Sequence, residues 1–279
     1  FVGTGALAAV GSTGTVMFLI LGFVLGMTAG FTVLTAQKFG AGDMDAMRQT
    51  VGNAAVLSII MSVVLTAASM AFMKPLLEFM HTPKDIFADA YAYIMVICAG
   101  ICAQMLYNLQ ASVLRAIGNS KVPLYFLVLS ALLNIALDMV FIIVFKLGTA
   151  GAAYATVVSQ GVSGILCLVY IAKKVPVLRL KRDDWKLKGI LVKHQLMMGF
   201  PMALQYSITA LGTMMVQTSL NLLGSLQVAA FTAASKIEQV VTQAYVAMGT
   251  TMATYCAQNM GAGKVLRIRQ GFRAATIMG

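Results

Sequence analysis

The sequence predicts an all-α, polytopic membrane protein with two six-helix lobes related by a pseudo-two-fold axis along the membrane normal, of which about seven transmembrane helices are present. Three observations predict this fold. Long runs of the chain carry no charged residue, the basic residues fall almost entirely on one side of the predicted membrane, and residues 3–54 recur as residues 224–275. Long apolar runs call for a bilayer, and a repeat of this length predicts two similar helix bundles.

The composition excludes an ordinary soluble domain. Hydrophobic residues make up 59% of the 279 residues and charged residues only 10%, whereas soluble domains are about 45–50% apolar and about 25% charged. About 20 apolar residues span a bilayer as a helix. Nucleic-acid binding, soluble metabolism and secretion as a small scaffold are therefore excluded, and the scattered Cys and His residues predict no metalloenzyme. Seven spans fit, at residues 10–35, 51–73, 90–114, 123–145, 151–172, 195–222 and 228–260.

The basic residues set the predicted orientation. Counted loop by loop, 16 of the 20 Lys and Arg residues fall on one side of the membrane, here called the basic side, three fall on the other, and Lys236 lies inside the seventh span. Because positively charged loops stay in the cytoplasm, we expect a multi-pass protein of the cell membrane with a cytoplasmic linker at residues 173–193. The linker separates an N-terminal lobe, residues 1–172, which lacks its first helix, from a partial C-terminal lobe, residues 194–279. It is expected to be a tether or, alternatively, a helix that senses anionic lipids.

The repeat is gapless at a shift of 221 positions, and its clearest match pairs AQKFGAG at 36–42 with AQNMGAG at 257–263. Both copies run toward the basic side, so they are parallel repeats related by an axis along the membrane normal. The arithmetic predicts one helix before residue 1 and four spans after residue 279, which would make the chain part of a twelve-helix protein. Within the first copy, small residues at every fourth position predict close packing against another helix: Gly22, Gly26 and Gly30.

Four strings in order resemble the multidrug and toxic compound extrusion (MATE) transporters. They are AQKFGAG at 36–42, LRAIGNSK at 114–121 with Pro123, NIALD at 134–138, and GAAYAT at 151–156 with Gln160. The resemblance covers essentially the whole chain, from the second helix of the family's twelve to the start of the ninth. It implies drug/cation antiport by two lobes around a central cavity that opens alternately to each side. A lipid-linked oligosaccharide flippase of the same superfamily is the alternative.

Asp138 is the candidate coupling residue, because it is the acid that falls inside a span of the first lobe. A charged side chain at the centre of a membrane helix costs roughly 2.5–3.5 kcal/mol and rarely persists without a role. Asn134 shares the helical face of Asp138, and Thr156 on the next helix lies at a similar depth, roughly 10 Å from the outer surface. These oxygen ligands predict a Na⁺ or H⁺ site, and the resemblance assigns the matching MATE residues to a cation site. The alternative is that Asp138 only fixes helix packing.

The predicted substrate cavity draws on both lobes. Glu238 and Tyr245 share one face of the seventh span, where Glu238 is expected to bind a cationic substrate or a coupling proton or, alternatively, to pair with a basic group on another helix. Aromatic faces attract organic cations, although contacts between helices are the alternative role for such residues. The further candidates for the cavity wall are Tyr107, Asn108, Gln205 and Tyr206.

The predicted function is secondary active export of amphipathic organic cations, coupled to an inward Na⁺ or H⁺ gradient and achieved by alternating access. We expect no enzyme activity, no cofactor and no metal beyond the transported ion. The expected partners are small organic cations and the lipid bilayer, not nucleic acid, and we expect a monomer. Seven helices with a lysine in the last, Lys236, also resemble a retinal-type receptor, but the internal repeat opposes that interpretation.

Overall fold

The computed structural model describes residues 3–80, 82, 84–221 and 225–279, and this part of the chain is almost entirely helical. No strand occurs among the described residues, which confirms the prediction of an all-α fold. Where the connections between helices are described, they are short, apart from the linker between the sixth and seventh helices. The helices are α1 (Gly3–Gly40), α2 (Met44–Phe79), α3 (Lys84–Ala99), α4 (Ile101–Ala116), α5 (Lys121–Met139), α6 (Gly148–Lys174), α7 (Gly189–Asn221), α8 (Ser225–Gly261) and α9 (Val265–Met278).

In the described chain the predicted spans fall on helices, with one difference, and residue 222 at the end of the sixth span lies outside the described residues. Residues 90–114 form a bent pair, because α3 and α4 meet at Gly100 with a change of direction of 47°. In the described chain four helices, α1, α2, α5 with its continuation to Val144, and α6, are long and apolar enough to cross a membrane, and the bent pair would be a fifth. The described parts of α7 and α8 are long but carry more polar residues, so they are not among these spans.

The repeat is visible in the local structure of two corners. The first copy ends its helix at Gly40 and starts the next at Met44, while the second copy ends at Gly261 and starts at Val265, again 221 positions on. A glycine with positive φ makes each turn, at 76° for Gly42 and 68° for the equivalent Gly263. The backbone hydrogen bonds that close the two turns are also equivalent. Glycine is favoured at this position because side chains are strained at positive φ.

The glycine ridge of α1 packs as predicted, and its partner is α7. A Cβ at Gly26 would lie 2.5 Å from the backbone nitrogen of Ala203, and a Cβ at Gly30 would overlap the backbone of Gly199. Gly22 faces the side chain of Tyr206, so residue numbers rise along α1 as they fall along α7, and the helices are antiparallel. Small residues on both helices allow this close approach, and only glycine fits at the tightest points.

The buried core is built around α1, which packs against α2, α3, α4, α7 and α8. One buried cluster near the basic side contains Phe31 and Met47, and a second cluster farther from it contains Val24 and Ile94. Large apolar side chains on the outer faces of α2, α5 and α6 stay exposed. Exposed apolar surface of this extent suits contact with lipid rather than water.

The linker docks on α2 as turns rather than as a continuous helix. It forms two short 3₁₀ segments, Pro176–Leu178 and Arg182–Trp185. The alternative prediction that the linker is a helix is therefore wrong, whereas its predicted response to lipid stays a prediction. Fully buried Asn53 holds the linker, because its amide donates to the carbonyl of Lys186 at 3.1 Å and accepts from the backbone of Lys188 at 2.9 Å. Two backbone groups of the linker therefore depend on one side chain of α2.

We expect Asn53→Ala to release the linker from α2. The substitution removes both hydrogen bonds to the linker backbone, at about 0.5–1.5 kcal/mol each, so the unfolding temperature falls and trypsin cuts the linker faster. Gln49→Ala is the matched control on the same helix, because it removes only an exposed contact with the Lys188 ammonium and should change stability by less than about 0.5 kcal/mol. Equal trypsin cleavage of the wild type and Asn53→Ala would contradict this role.

Candidate functional site

The structure brings Asn134 and Thr156 together where α5 packs on α6. The Asn134 amide nitrogen lies 3.4 Å from the Thr156 hydroxyl, across the two helices. The Thr156 hydroxyl donates its own proton to the carbonyl of Ala152 at 3.0 Å. The Thr156 oxygen accepts from the Asn134 amide through one lone pair, and its second lone pair remains free to coordinate a cation.

Asp138 lies one turn beyond Asn134 on α5 and carries an unsatisfied oxygen. Its Oδ1 atom is buried and has no hydrogen-bond partner among the described residues. A buried carboxylate without a partner is costly, so this oxygen calls for a proton or a cation. In the described chain no three His, Cys, Asp or Glu side chains converge, and a single carboxylate with neutral oxygens suits a monovalent ion better than a transition metal.

A π-helical segment follows Asp138 directly and was not predicted from the sequence. Residues Val140–Val144 widen the end of α5, and Phe145 donates to the carbonyl of Val140, five residues back, at 3.0 Å. Such segments are rare and occur frequently at functional sites. The apolar string that forms it carries no glycine, proline or polar residue that could have signalled the change of register.

Two further polar side chains of α6 lie on the same helical face as Thr156. Gln160 Oε1 and Ser163 Oγ are buried and have no hydrogen-bond partner in the described part of the chain. Spacings of four and three residues place all three side chains on one face of α6. From the sequence, Gln160 was singled out only with the GAAYAT string at 151–156, and Ser163 was not predicted. These groups extend the polar line from the candidate ion site toward the basic side.

Two residues predicted for the cavity wall make local contacts on α4. The Tyr107 hydroxyl is buried and donates to the carbonyl of Pro123 at 2.9 Å, which braces α4 against the start of α5. The Asn108 amide donates to the carbonyl of Gln104 at 2.8 Å within its own helix. Both contacts fit the alternative role in helix packing, and their role in the cavity wall stays a prediction.

The other four predicted cavity residues lie on α7 and α8, and no hydrogen bond or ring contact that joins any two of them is seen in the described part of the chain. Tyr206 is half-buried against α1, whereas Gln205 and Glu238 are exposed. Tyr245 is also exposed, and its hydroxyl donates to the carbonyl of Gly279 at 3.1 Å. The assignment of these residues to a substrate cavity therefore stays a prediction.

The two repeats contact each other at the basic side through equivalent residues. A Cβ at Gly40 would overlap the backbone carbonyl of Gln258, and a Cβ at Gly261 would overlap the backbone carbonyl of Gln37. The two contacts are equivalent, because Gly40 and Gly261 are matching positions of the two repeats, as are Gln37 and Gln258. This is the self-complementary pattern of a two-fold interface. The Gln258 amide also donates to the carbonyl of Ala116 at 2.8 Å. The repeats are thus closed against each other on this side.

Comparisons with known proteins agree with this architecture. The family model MatE matches residues 1–140 and 199–279. Two relatives from Bacillus subtilis are the probable multidrug resistance proteins YpnP, 32% identical over 95% of this chain, and YoeA, 29% identical over 98%. A solved structure described as the outward-facing conformation of a multidrug resistance MATE family transporter superposes with a TM-score of 0.92 at 24% identity over 99% of this chain, and therefore shows the fold. The chain spans 59% and 60% of the two relatives and 62% of the solved chain.

Proposed function

Because the chain belongs to the MatE family, we propose that the protein is a secondary transporter, not an enzyme, and that it exports amphipathic organic cations in exchange for Na⁺ or H⁺. The observation that carries the proposal is the reciprocal contact of Gly40 with Gln258 and of Gly261 with Gln37. A contact between two parallel repeats that closes one side of the membrane suits alternating access, in which the repeats rock around a fixed site. Because the chain belongs to the MatE family, the alternative interpretation as a retinal-type receptor is wrong.

Coupling takes place at Asp138 in this proposal. Its buried Oδ1 atom has no partner among the described residues, and Asn134, one turn away, contacts Thr156; both observations support binding of one cation or one proton. Occupation of the site neutralises the carboxylate and lowers the cost of its burial. The ion therefore changes the relative stability of the two arrangements of the lobes, as coupling requires.

The proposal also includes the orientation of the protein in the membrane. The excess of basic loops supports a cell-membrane protein with a cytoplasmic linker, residues 173–193, and with the closed side facing the cytoplasm. The protein acts as a monomer, and substrate enters from the cytoplasm when the reciprocal contact opens. The structure then corresponds to a state that is closed to the cytoplasm.

Dye efflux from vesicles tests this function. The full-length protein that carries this chain is reconstituted, loaded with ethidium, and given an inward Na⁺ gradient or an inward H⁺ gradient in separate runs. We expect one gradient to drive ethidium efflux and the other to have little effect. Vesicles in which neither gradient increases efflux, although the protein is folded and correctly inserted, would contradict the proposal.

A further inference from the structure

One cavity of the described chain is lined by none of the residues predicted for ion or substrate binding. It has a volume of ≈ 620 Å³, lies between α2, α4 and α6, and is bounded at its basic end by the linker. Its walls are largely apolar, and the rim includes the exposed side chains of Ile59 and Leu168. Ligand cavities in proteins are commonly about 300–1,000 Å³ and mostly apolar, so both size and lining suit a ligand with a long apolar part.

Two polar side chains of the cavity lack partners. Both amide atoms of Gln110 are buried without a hydrogen bond among the described residues, and so is the hydroxyl of Ser58. Gln110 is only 6% exposed and Ser58 only 4%. Buried polar groups are almost always paired. An occupant with acceptor oxygens part of the way along its length would satisfy these donors.

The basic end of the cavity is cationic. Arg179 lines it beside Trp185, and no ion pair to Arg179 occurs in the part of the chain that the structure describes. The two acids of the linker are occupied elsewhere, because Asp183 pairs with Lys186 at 2.7 Å and Asp184 accepts from the backbone of Lys181 at 2.7 Å. The hydrogen bond and charge of Lys186 lower the pKa of Asp183, which keeps this carboxyl ionised. Arg179 is thus available for an anion.

The depth of the cavity matches a lipid chain. Along α4 its lining runs from Val113 to Cys102, a separation of 11 residues, or about 16 Å at 1.5 Å per residue. One leaflet of the hydrocarbon core is about 15 Å thick. Tryptophan is enriched at the membrane surface, which is where Trp185 must lie if the apolar walls are in the hydrocarbon region.

We propose that this cavity binds an anionic phospholipid from the leaflet on the basic side. An acyl chain fills the apolar cavity, the phosphate pairs with Arg179, and the ester carbonyls accept hydrogen bonds from Gln110 and Ser58. Arginine suits this task because its planar group can bind phosphate through two hydrogen bonds. The docked linker thereby becomes one wall of a lipid site, independently of which ion or substrate the protein transports.

Quenching of Trp185 by brominated lipids tests the proposal, since Trp185 is the one tryptophan of the 279 residues. The full-length protein, with any tryptophan outside these residues replaced by Phe, is reconstituted in phosphatidylcholine. Small fractions of phosphatidylglycerol or phosphatidylcholine with identical brominated chains are then added. We expect phosphatidylglycerol to reach half-maximal quenching at about a fivefold lower lipid fraction than phosphatidylcholine does. This ratio corresponds to the contribution of about 1 kcal/mol that one basic residue makes to the binding of an anionic lipid. Equal quenching by the two lipids would overturn the proposal.

Three variants separate a defined site from general attraction to the basic surface. Arg179→Gln should abolish the headgroup preference, whereas Arg182→Gln, an exposed arginine of the same linker outside the cavity lining, should keep it. Gln110→Leu should weaken quenching by both lipids equally, because the ester carbonyls are common to them. An equal loss of preference in the two arginine variants would overturn the proposal, and so would displacement of brominated phosphatidylglycerol by ethidium.

Discussion

Replacing Asp138 with Asn is expected to abolish gradient-driven efflux while the protein still folds. The substitution keeps the shape of the side chain and removes the charge of an oxygen that has no partner in the described chain. Contacts to a charged group are worth about 1.5–3 kcal/mol, so the affinity for the coupling cation should fall about 10- to 150-fold. If H⁺ is the coupling ion, the amide has no titratable proton, and coupling is lost completely.

Exchange of substrate without an ion gradient separates coupling from folding. Asp138→Asn should still exchange labelled ethidium across vesicles at equilibrium, since this process needs the lobes to move but needs no net ion transport. Asp183→Asn is the matched control, because it removes an exposed acid of the linker, where ion pairs contribute little. Gradient-driven efflux at the wild-type rate in Asp138→Asn would refute the coupling role.

Placing a methyl group at Gly40 or Gly261 is expected to open the basic side. At each position the new Cβ overlaps a backbone carbonyl of the opposite repeat, and backbone cannot move aside as a flexible side chain can. Overpacking of this kind costs about 1–3 kcal/mol, which shifts a two-state equilibrium about 5- to 150-fold. Both Gly→Ala variants should therefore destabilise the closed arrangement and slow transport, because the protein completes its cycle only when this side can close.

Labelling of a cysteine at Ala116 measures the opening. Ala116 is 2% exposed and its carbonyl accepts from Gln258, so Ala116→Cys should react slowly with maleimide until the repeats separate. We expect Gly40→Ala and Gly261→Ala to accelerate this labelling to similar extents. Gly14→Ala and Gly249→Ala are the controls on α1 and α8, because a Cβ at either site has nothing within 4 Å. Identical labelling rates in all four variants would show that the reciprocal contact does not hold the repeats closed.

The sequence was sufficient to predict features that depend on repetition and spacing. The equivalent corners after Gly40 and Gly261 follow from an alignment of the chain with itself, and the glycine ridge of α1 follows from a period of four residues. The helices themselves follow from runs of apolar residues long enough to cross a bilayer. All of these properties are local or periodic, so they can be read without knowing which helices meet.

Other features depend on hydrogen-bond register and on tertiary contacts, which periodicity does not report. The π-helical segment at Val140–Val144 changes the register within a uniformly apolar string. Tyr107 was predicted to face a cavity from its aromatic character, yet its hydroxyl finds the carbonyl of Pro123 on a neighbouring helix. The Gln110 amide has no partner among the described residues, and this can be recognised only from the packing of α2, α4, α6 and the linker.

Cross-linking across the pseudo-two-fold axis tests whether two similar repeats close the basic side through equivalent residues. Ala36 and Ala257 are equivalent positions of the two repeats and belong to one buried cluster with Ala116. In a cysteine-free background, Ala36→Cys with Ala257→Cys should form a disulfide on oxidation, and the oxidised protein should stop transporting until it is reduced. Ala36→Cys with Ala253→Cys, one turn away on α8, should cross-link poorly. Efficient cross-linking of the control pair but not of the equivalent pair, or full transport by the cross-linked protein, would contradict the account.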